Sequence, residues 1–296
     1  MRWVTRSAVL LSLSLKVSVI FAANNPNEIP FKLYRGYAIV VRGSVGNLKN
    51  LNFLVDTGAV PSVLDQRIAQ KLHLSGSAEE ISVFTKKVDT ERAIAPDVQV
   101  GPLRAQTLPI AVQDLSFATE ALGTRLDAMI GLDFLSEGPF TIDYQKKKIV
   151  FGDIDPSLTK VSYKAGSGYA WVEFKIHEQT LRLLVDTGAS DLVLFASATS
   201  DCQSAIKKIG TRVWSNIGGE IRVEEVQLTD AYLGATPWGT LNVFILPDKG
   251  SRPRGLDGLL GVTSLSARRV ALDPEHKLFA FDQGSESHPL TKAARH

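Results

Sequence analysis

Two acids in this 296-residue chain sit in identical six-residue frames. Leu54-Val55-Asp56-Thr57-Gly58-Ala59 recurs letter for letter as Leu184-Val185-Asp186-Thr187-Gly188-Ala189, at an offset of 130. In each frame an apolar run delivers a carboxylate to a turn that glycine permits. A single such turn is equally well an Asx turn or a helix cap. Two identical copies change the reading, because a pseudo-twofold axis between them would bring Asp56 and Asp186 face to face. Carboxyl groups that close in a poorly hydrated cleft do not both ionise readily, so the pair holds a proton and titrates as a unit. Such a pair can take a proton from water while donating one to a carbonyl oxygen or a leaving amine.

No other set of residues competes for the chemistry. The five histidines (His73, His177, His276, His288, His296) lack paired metal-ligand spacing, and a carboxylate-bound metal would want three or four converging ligands. The sole cysteine, Cys202, excludes an intrachain disulfide framework and reads as a small buried side chain. No Ser-His-Asp or Cys-His arrangement can be assembled. Lys146-Lys147-Lys148, Lys207-Lys208 and Arg268-Arg269 read as solvated turn or helix-face charges. Trp171, Trp214 and Trp238 read as packing, and Asp127 and Asp257 as loop caps. The formal net charge is +2, but Arg2, Arg6 and Lys16 lie in the first 23 residues, which contain no acid. Without that segment 30 basic groups face 31 acidic ones, so charge does not point to nucleic acid as a partner. A cofactor is not expected either, since no GxGxxG follows a strand and no GxxxxGK[ST] occurs.

The repeat extends well beyond the two frames. At the same offset Val63-Leu64 maps onto Val193-Leu194, Leu126-Asp127 onto Leu256-Asp257, Gly131 onto Gly261, Asp143 onto Asp273 and Phe151 onto Phe281. Upstream, Gly36-Tyr37-Ala38 matches Gly168-Tyr169-Ala170 at an offset of 132, the difference falling in a hairpin loop. Each Asp is followed 75 residues later by a Gly that closes an apolar run, Met129-Ile130-Gly131 and Leu259-Leu260-Gly261. With these elements the chain resembles the two-lobed retropepsin-like aspartic proteases over nearly its whole length. The resemblance implies an all-β, bilobal acid-protease fold: two homologous β-barrel-like lobes with pseudo-twofold symmetry and short helices. It implies Asp56 and Asp186 as the catalytic pair and Thr57 and Thr187 as hydroxyls cross-linking the two loops. Gly58 and Gly188 would let backbone N–H groups reach the carboxylates. Ile130, Gly131, Leu260 and Gly261 would support the loops from below.

The chain departs from the pepsin-like pattern in three ways. Ala59 and Ala189 stand where pepsin-like relatives carry a hydroxyl that donates to the ionised Asp. Losing that donor raises the pair's pKa, so the expected activity optimum is weakly acidic rather than strongly acidic. About eight residues separate the expected leader cleavage from the first strand, too few for an inhibitory prosegment. The flap lacks the usual Tyr: Val83 to Asp89 in the first lobe offers Phe84, whereas the second offers Trp214 followed by Gly218-Gly219. Phe84, Trp214, Gly218 and Gly219 are the flap candidates, with one flap or two.

The elements that must position these residues read as strands. Tyr37 to Arg42, Asn52 to Val55, Trp171 to Ile176 and Leu181 to Val185 are β-branched and aromatic runs around Gly or Asn turns. Asp65 to Leu74 reads as an amphipathic helix capped by Asp65, with Ile68, Leu72 and His73 on one face, and Ser197 to Ile209 as its weaker counterpart. Residues 1–23 read as a signal peptide, with basic residues before an apolar stretch that Lys16 interrupts and Ala22-Ala23 at its end. The remaining chain divides into an N-terminal lobe (24–153), a connector (154–163), a C-terminal lobe (164–284) and a polar tail (285–296). The expectation is an exported monomer that cleaves peptide or protein substrates without metal or cofactor. Membrane contact would be limited to the signal segment. The alternative is a catalytically silent peptide- or partner-binding protein on the same scaffold.

Overall fold

The computed structural model describes residues 27–83, 86–166, 168–216, 219–248 and 255–282. Residues 1–23, read as a signal peptide, the tail 285–296 and the flap candidates Phe84 and Gly218 lie outside the described residues.

The duplication in sequence becomes a duplication in strand order. In the first lobe the neighbours run Ala38–Val45, Leu48–Val55, Ala128–Ile130, Val63–Asp65, Leu103–Gln113, Lys86–Val100 and Ser77–Val83. In the second they run Tyr169–Ile176, Gln179–Asp186, Gly258–Gly261, Leu192–Phe195, Leu241–Leu246, Gly219–Leu228 and Ile206–Asn216, one for one. Alternation drives the local choice: in Tyr169–Ile176, Ala170, Val172, Phe174 and Ile176 are buried while Glu173 and Lys175 are exposed. The strands that end at the two frames are buried on both faces near their ends, as Leu183, Leu184 and Val185 show. That burial suits the centre of a sheet where a short parallel strand lies alongside.

Six further strands form a platform joining the lobes, in the order Glu28–Pro30, Lys148–Phe151, Phe140–Asp143, Arg269–Asp273, Leu278–Phe281 and Thr159–Gly166. At its centre Phe140 pairs with Leu272, Thr141 with Ala271 and Ile142 with Val270, antiparallel. Thr141 and Ala271 are themselves related by the 130-residue offset. An antiparallel pair in which a residue meets its own repeat mate marks the position of the pseudo-twofold axis. Phe140, Ile142, Val270, Leu272, Phe279 and Phe281 pack there into one apolar core shared by both halves. The segment read as a connector (154–163) runs into the platform's last strand, Thr159–Gly166, which continues into the second lobe.

The helices are shorter than the sequence pattern suggests. Asp65 caps a helix at Gln66–Lys71 by accepting from the Arg67 N–H at 2.9 Å. It stops three residues before Leu74 because His73 adopts a left-handed conformation (φ 52°), with His73 N–H bonded to Gln70 O and Leu74 N–H to Ala69 O. Ile68 is buried in the core and the half-buried Leu72 packs against it, but His73 is exposed, so the expected three-residue face loses His73. The counterpart read at Ser197 to Ile209 is a 3₁₀ segment, Ala196–Ala205, and Ile206 already begins a strand.

Candidate active site

Each candidate acid is delivered by the end of a strand that a short parallel strand braces. Val55 pairs with Ile130, and Val185 and Asp186 pair with Leu260 and Gly261. The Asp56 N–H also donates to Ile130 O at 3.0 Å. Gly131 passes so closely beneath the first loop that a Cβ there would overlap the Ala59 carbonyl oxygen, and one on Gly261 would overlap the backbone of Asp191. These are backbone-to-backbone approaches, which leave no side chain that could move aside.

The two loops meet through their threonines. Thr57 N–H donates to Thr187 Oγ1 at 3.0 Å, and Thr187 N–H donates to Thr57 Oγ1 at 3.0 Å. Each hydroxyl then donates across the seam, Thr57 to Val185 O at 2.7 Å and Thr187 to Val55 O at 3.0 Å. Both side chains are fully buried, so all four bonds form where water does not compete. The axis that passes between Thr141 and Ala271 therefore also passes through this seam.

With the seam closed, each carboxyl lies over the other lobe's glycine. A Cβ on Gly58 would stand 2.8 Å from Asp186 Cγ, and one on Gly188 would overlap the Asp56 carboxyl. Asp56 Oδ1 accepts from Gly58 N–H at 2.9 Å; Asp186 Oδ1 accepts from Gly188 N–H at 2.8 Å and Ala189 N–H at 3.1 Å. The two carboxyls also hydrogen-bond each other. Burial raises the pKa of both. Asp186, 6% exposed, is pushed well above the usual carboxylate range by burial first and by the neighbouring Asp56 charge second. The pair thus retains a proton and titrates as a unit.

Two tyrosines flank the pair, one per lobe. Tyr37 and Tyr169 are half-buried, and both phenols are raised by burial first and then by nearby carboxylates that include Asp56 and Asp186. Tyr169 reaches across the seam, its hydroxyl 3.5 Å from Val60 O. Sequence matching found these tyrosines as repeat mates but attached no role to them. A brace confined to one lobe was also missed. Ser62 N–H and Oγ donate to Asp133 at 2.7 and 2.6 Å, and Gly131 N–H donates to Ser62 Oγ at 2.9 Å. Its signal was a lapse in the repeat, since the offset puts Leu192 and Thr263 at those positions. Asp127 and Asp257 tie their lobes alike, accepting from Asn52 N–H and Arg182 N–H, each at 2.9 Å.

Both lobes carry a hairpin at the flap position of the shared strand order. One is Ser77–Val83 with Lys86–Val100, the other Ile206–Asn216 with Gly219–Leu228. Trp214 pairs in register with Ile221, and Gly219 opens the return strand opposite Asn216. Among the described residues no group of three or more His, Cys, Asp or Glu is placed to hold a metal ion, and no helix is long and apolar enough to cross a membrane.

A sequence model of the family described as Aspartyl protease matches residues 41–134 and 172–263. The two matches carry one Asp-Thr-Gly loop each, lie in different lobes and together cover more than half of the chain. The chain belongs to the aspartyl protease family. Comparison with curated proteins gives no match.

Proposed function

We propose that the chain is an aspartic endopeptidase, exported and active as a monomer, in which Asp56 and Asp186 activate water against a peptide bond. The observation that supports this most is the reciprocal threonine seam, which holds two carboxyls from different lobes in one hydrogen-bonded pair. In this reading a water held between the carboxyls gives a proton to the ionised member of the pair as its oxygen attacks the scissile carbonyl. The protonated member gives its proton to the carbonyl oxygen, forming a neutral tetrahedral gem-diol. Breakdown returns one diol proton to a carboxylate and passes a proton to the departing amine, so the pair ends with the single proton it began with. The reaction draws on no metal, cofactor or covalent intermediate. Both acids come from one chain, so the site is complete without a second copy. An extended peptide or protein segment would lie between the flap hairpins and the loops, hydrogen-bonding through its backbone.

Cleavage of a peptide library by the purified protein tests the reading beside Asp56→Asn and Asp186→Asn variants. The expected result is turnover by the natural sequence and a loss of at least about 10³-fold in either variant. Equal turnover by all three would overturn it. Tight peptide binding without turnover by any of them would favour the silent binding protein.

A further inference from the structure

The peptide unit between Ile130 and Gly131 is held at both of its polar atoms. Its carbonyl oxygen accepts from the Asp56 N–H at 3.0 Å, and its N–H donates to Ser62 Oγ at 2.9 Å. The tilt of that unit therefore bears directly on the backbone from which the Asp56 carboxyl projects. Ser62 is in turn fixed by one residue. The Asp133 carboxylate accepts from the Ser62 hydroxyl at 2.6 Å and from the Ser62 N–H at 2.7 Å, one oxygen for each donor. A hydroxyl that gives its only proton to Asp133 meets the Gly131 N–H purely as an acceptor.

The relay is anchored at its far end. Ser62 is 1% exposed, and Asp133 stands on the short helix Leu132–Leu135, whose Leu132, Phe134 and Leu135 are all buried. A carboxylate acceptor makes the hydroxyl a stronger acceptor in its turn, and that polarisation passes through the peptide to the carbonyl that holds Asp56. The second lobe solves the same problem with main chain. There the Gly261 N–H donates to Asp191 O at 3.1 Å, and the repeat offset puts the apolar, buried Leu192 where Ser62 stands.

Resting on the peptidase reading, we propose that Asp133 is a positioning residue for Asp56, acting through Ser62 and the Ile130–Gly131 peptide, with no side-chain counterpart serving Asp186. Loss of the relay shifts one carboxyl of the pair and leaves the other in place. Such a shift slows the chemical step more than it weakens peptide binding.

The test compares the natural sequence with Asp133→Asn, Ser62→Ala and the double variant, by kinetics on one cleaved peptide and by amide hydrogen exchange read residue by residue. Asp133→Asn keeps the volume but turns an NH2 group towards a donor of Ser62, so it unsettles the relay without opening a cavity. Urea unfolding of the same preparations fixes conditions under which every variant is folded. In both single variants kcat should fall about 10- to 100-fold with KM changed less than about threefold, and the double variant should be no slower than the worse single one. The Asp56 and Gly131 amides should exchange at least about tenfold faster, with those of Asp186 and Gly261 unchanged. An unchanged kcat in folded Asp133→Asn, a loss carried by KM, or single effects that multiply in the double variant would overturn the proposal and leave the peptidase reading intact. If the natural sequence cuts no peptide, that reading falls and exchange alone decides. Faster exchange confined to the first loop then supports Asp133 as the residue that positions Asp56, whereas no change, or the same change in both loops, overturns it.

Discussion

The hydroxyl of Thr57 serves the inter-lobe seam twice, donating to Val185 O at 2.7 Å and accepting from Thr187 N–H at 3.0 Å. Valine has nearly the same shape, so Thr57→Val removes both bonds without opening a cavity. It leaves a buried N–H and a buried carbonyl short of a partner at a site that is 0% exposed. An orphaned buried polar group costs about 1–3 kcal/mol, so the two together give an expected destabilisation of about 2–6 kcal/mol. Thr57→Ser keeps the hydroxyl and loses a methyl, for about 1 kcal/mol. Thr187→Val should match Thr57→Val, because the Thr187 hydroxyl makes the reciprocal bonds to Val55 O and from Thr57 N–H, both 3.0 Å. The assay is urea unfolding followed by intrinsic fluorescence, with kcat measured on the same preparations. The seam sets the placement of one carboxyl against the other, and a displacement near 1 Å costs about 10²-fold in rate, so kcat should fall by that order in both valine variants. A Thr57→Val unfolding free energy within about 0.5 kcal/mol of the natural protein, or a serine variant as damaged as the valine one, would refute the reasoning.

Other outcomes follow from the same geometry. Gly131→Ala places a methyl into the Ala59 carbonyl oxygen, so the loop must shift; near-complete loss of turnover is expected, whereas Gly138→Ala, with nothing within 4 Å, should be benign by the same assay. The raised pKa of Asp186 means the native state holds a proton that the unfolded chain has already released. Native stability is therefore lost as pH rises from the ordinary carboxylate range, near about 3.9, through the raised value. Asp186→Asn lacks this penalty, so its melting temperature should match the natural protein at low pH and exceed it increasingly as pH rises, before levelling off; a constant difference across pH would contradict the assignment. With alanines at 59 and 189 rather than hydroxyl donors, the pH–rate profile should peak in the weakly acidic range. A peak below about pH 3 would show that something else lowers the pair's pKa.

Much of this protein is legible before any coordinates, and the reason is the repetition. One Asp-Thr-Gly turn is ambiguous, but two in a long run of matched positions at a single offset require a duplicated unit and a common role for Asp56 and Asp186. Short β-branched and aromatic runs around Gly or Asn turns identified the strands around them. What repetition cannot supply is the placement of one copy against the other. That depends on long-range pairings: Thr141 beside Ala271 on the platform, and the crossed bonds of Thr57 and Thr187 at the far end of the axis. The proton that the pair shares is likewise tertiary, since the burial that raises both carboxyls exists only in the packed molecule. Helix length escaped the pattern because the spacing of Leu72 and His73 fits a continuing helix, while the folded chain leaves at a left-handed His73. The sequence by itself determined which carboxyls are the candidates and that they come as a pair. Only the tertiary structure decided how the pair is held and how deeply it is buried, because both depend on contacts between residues far apart in the chain.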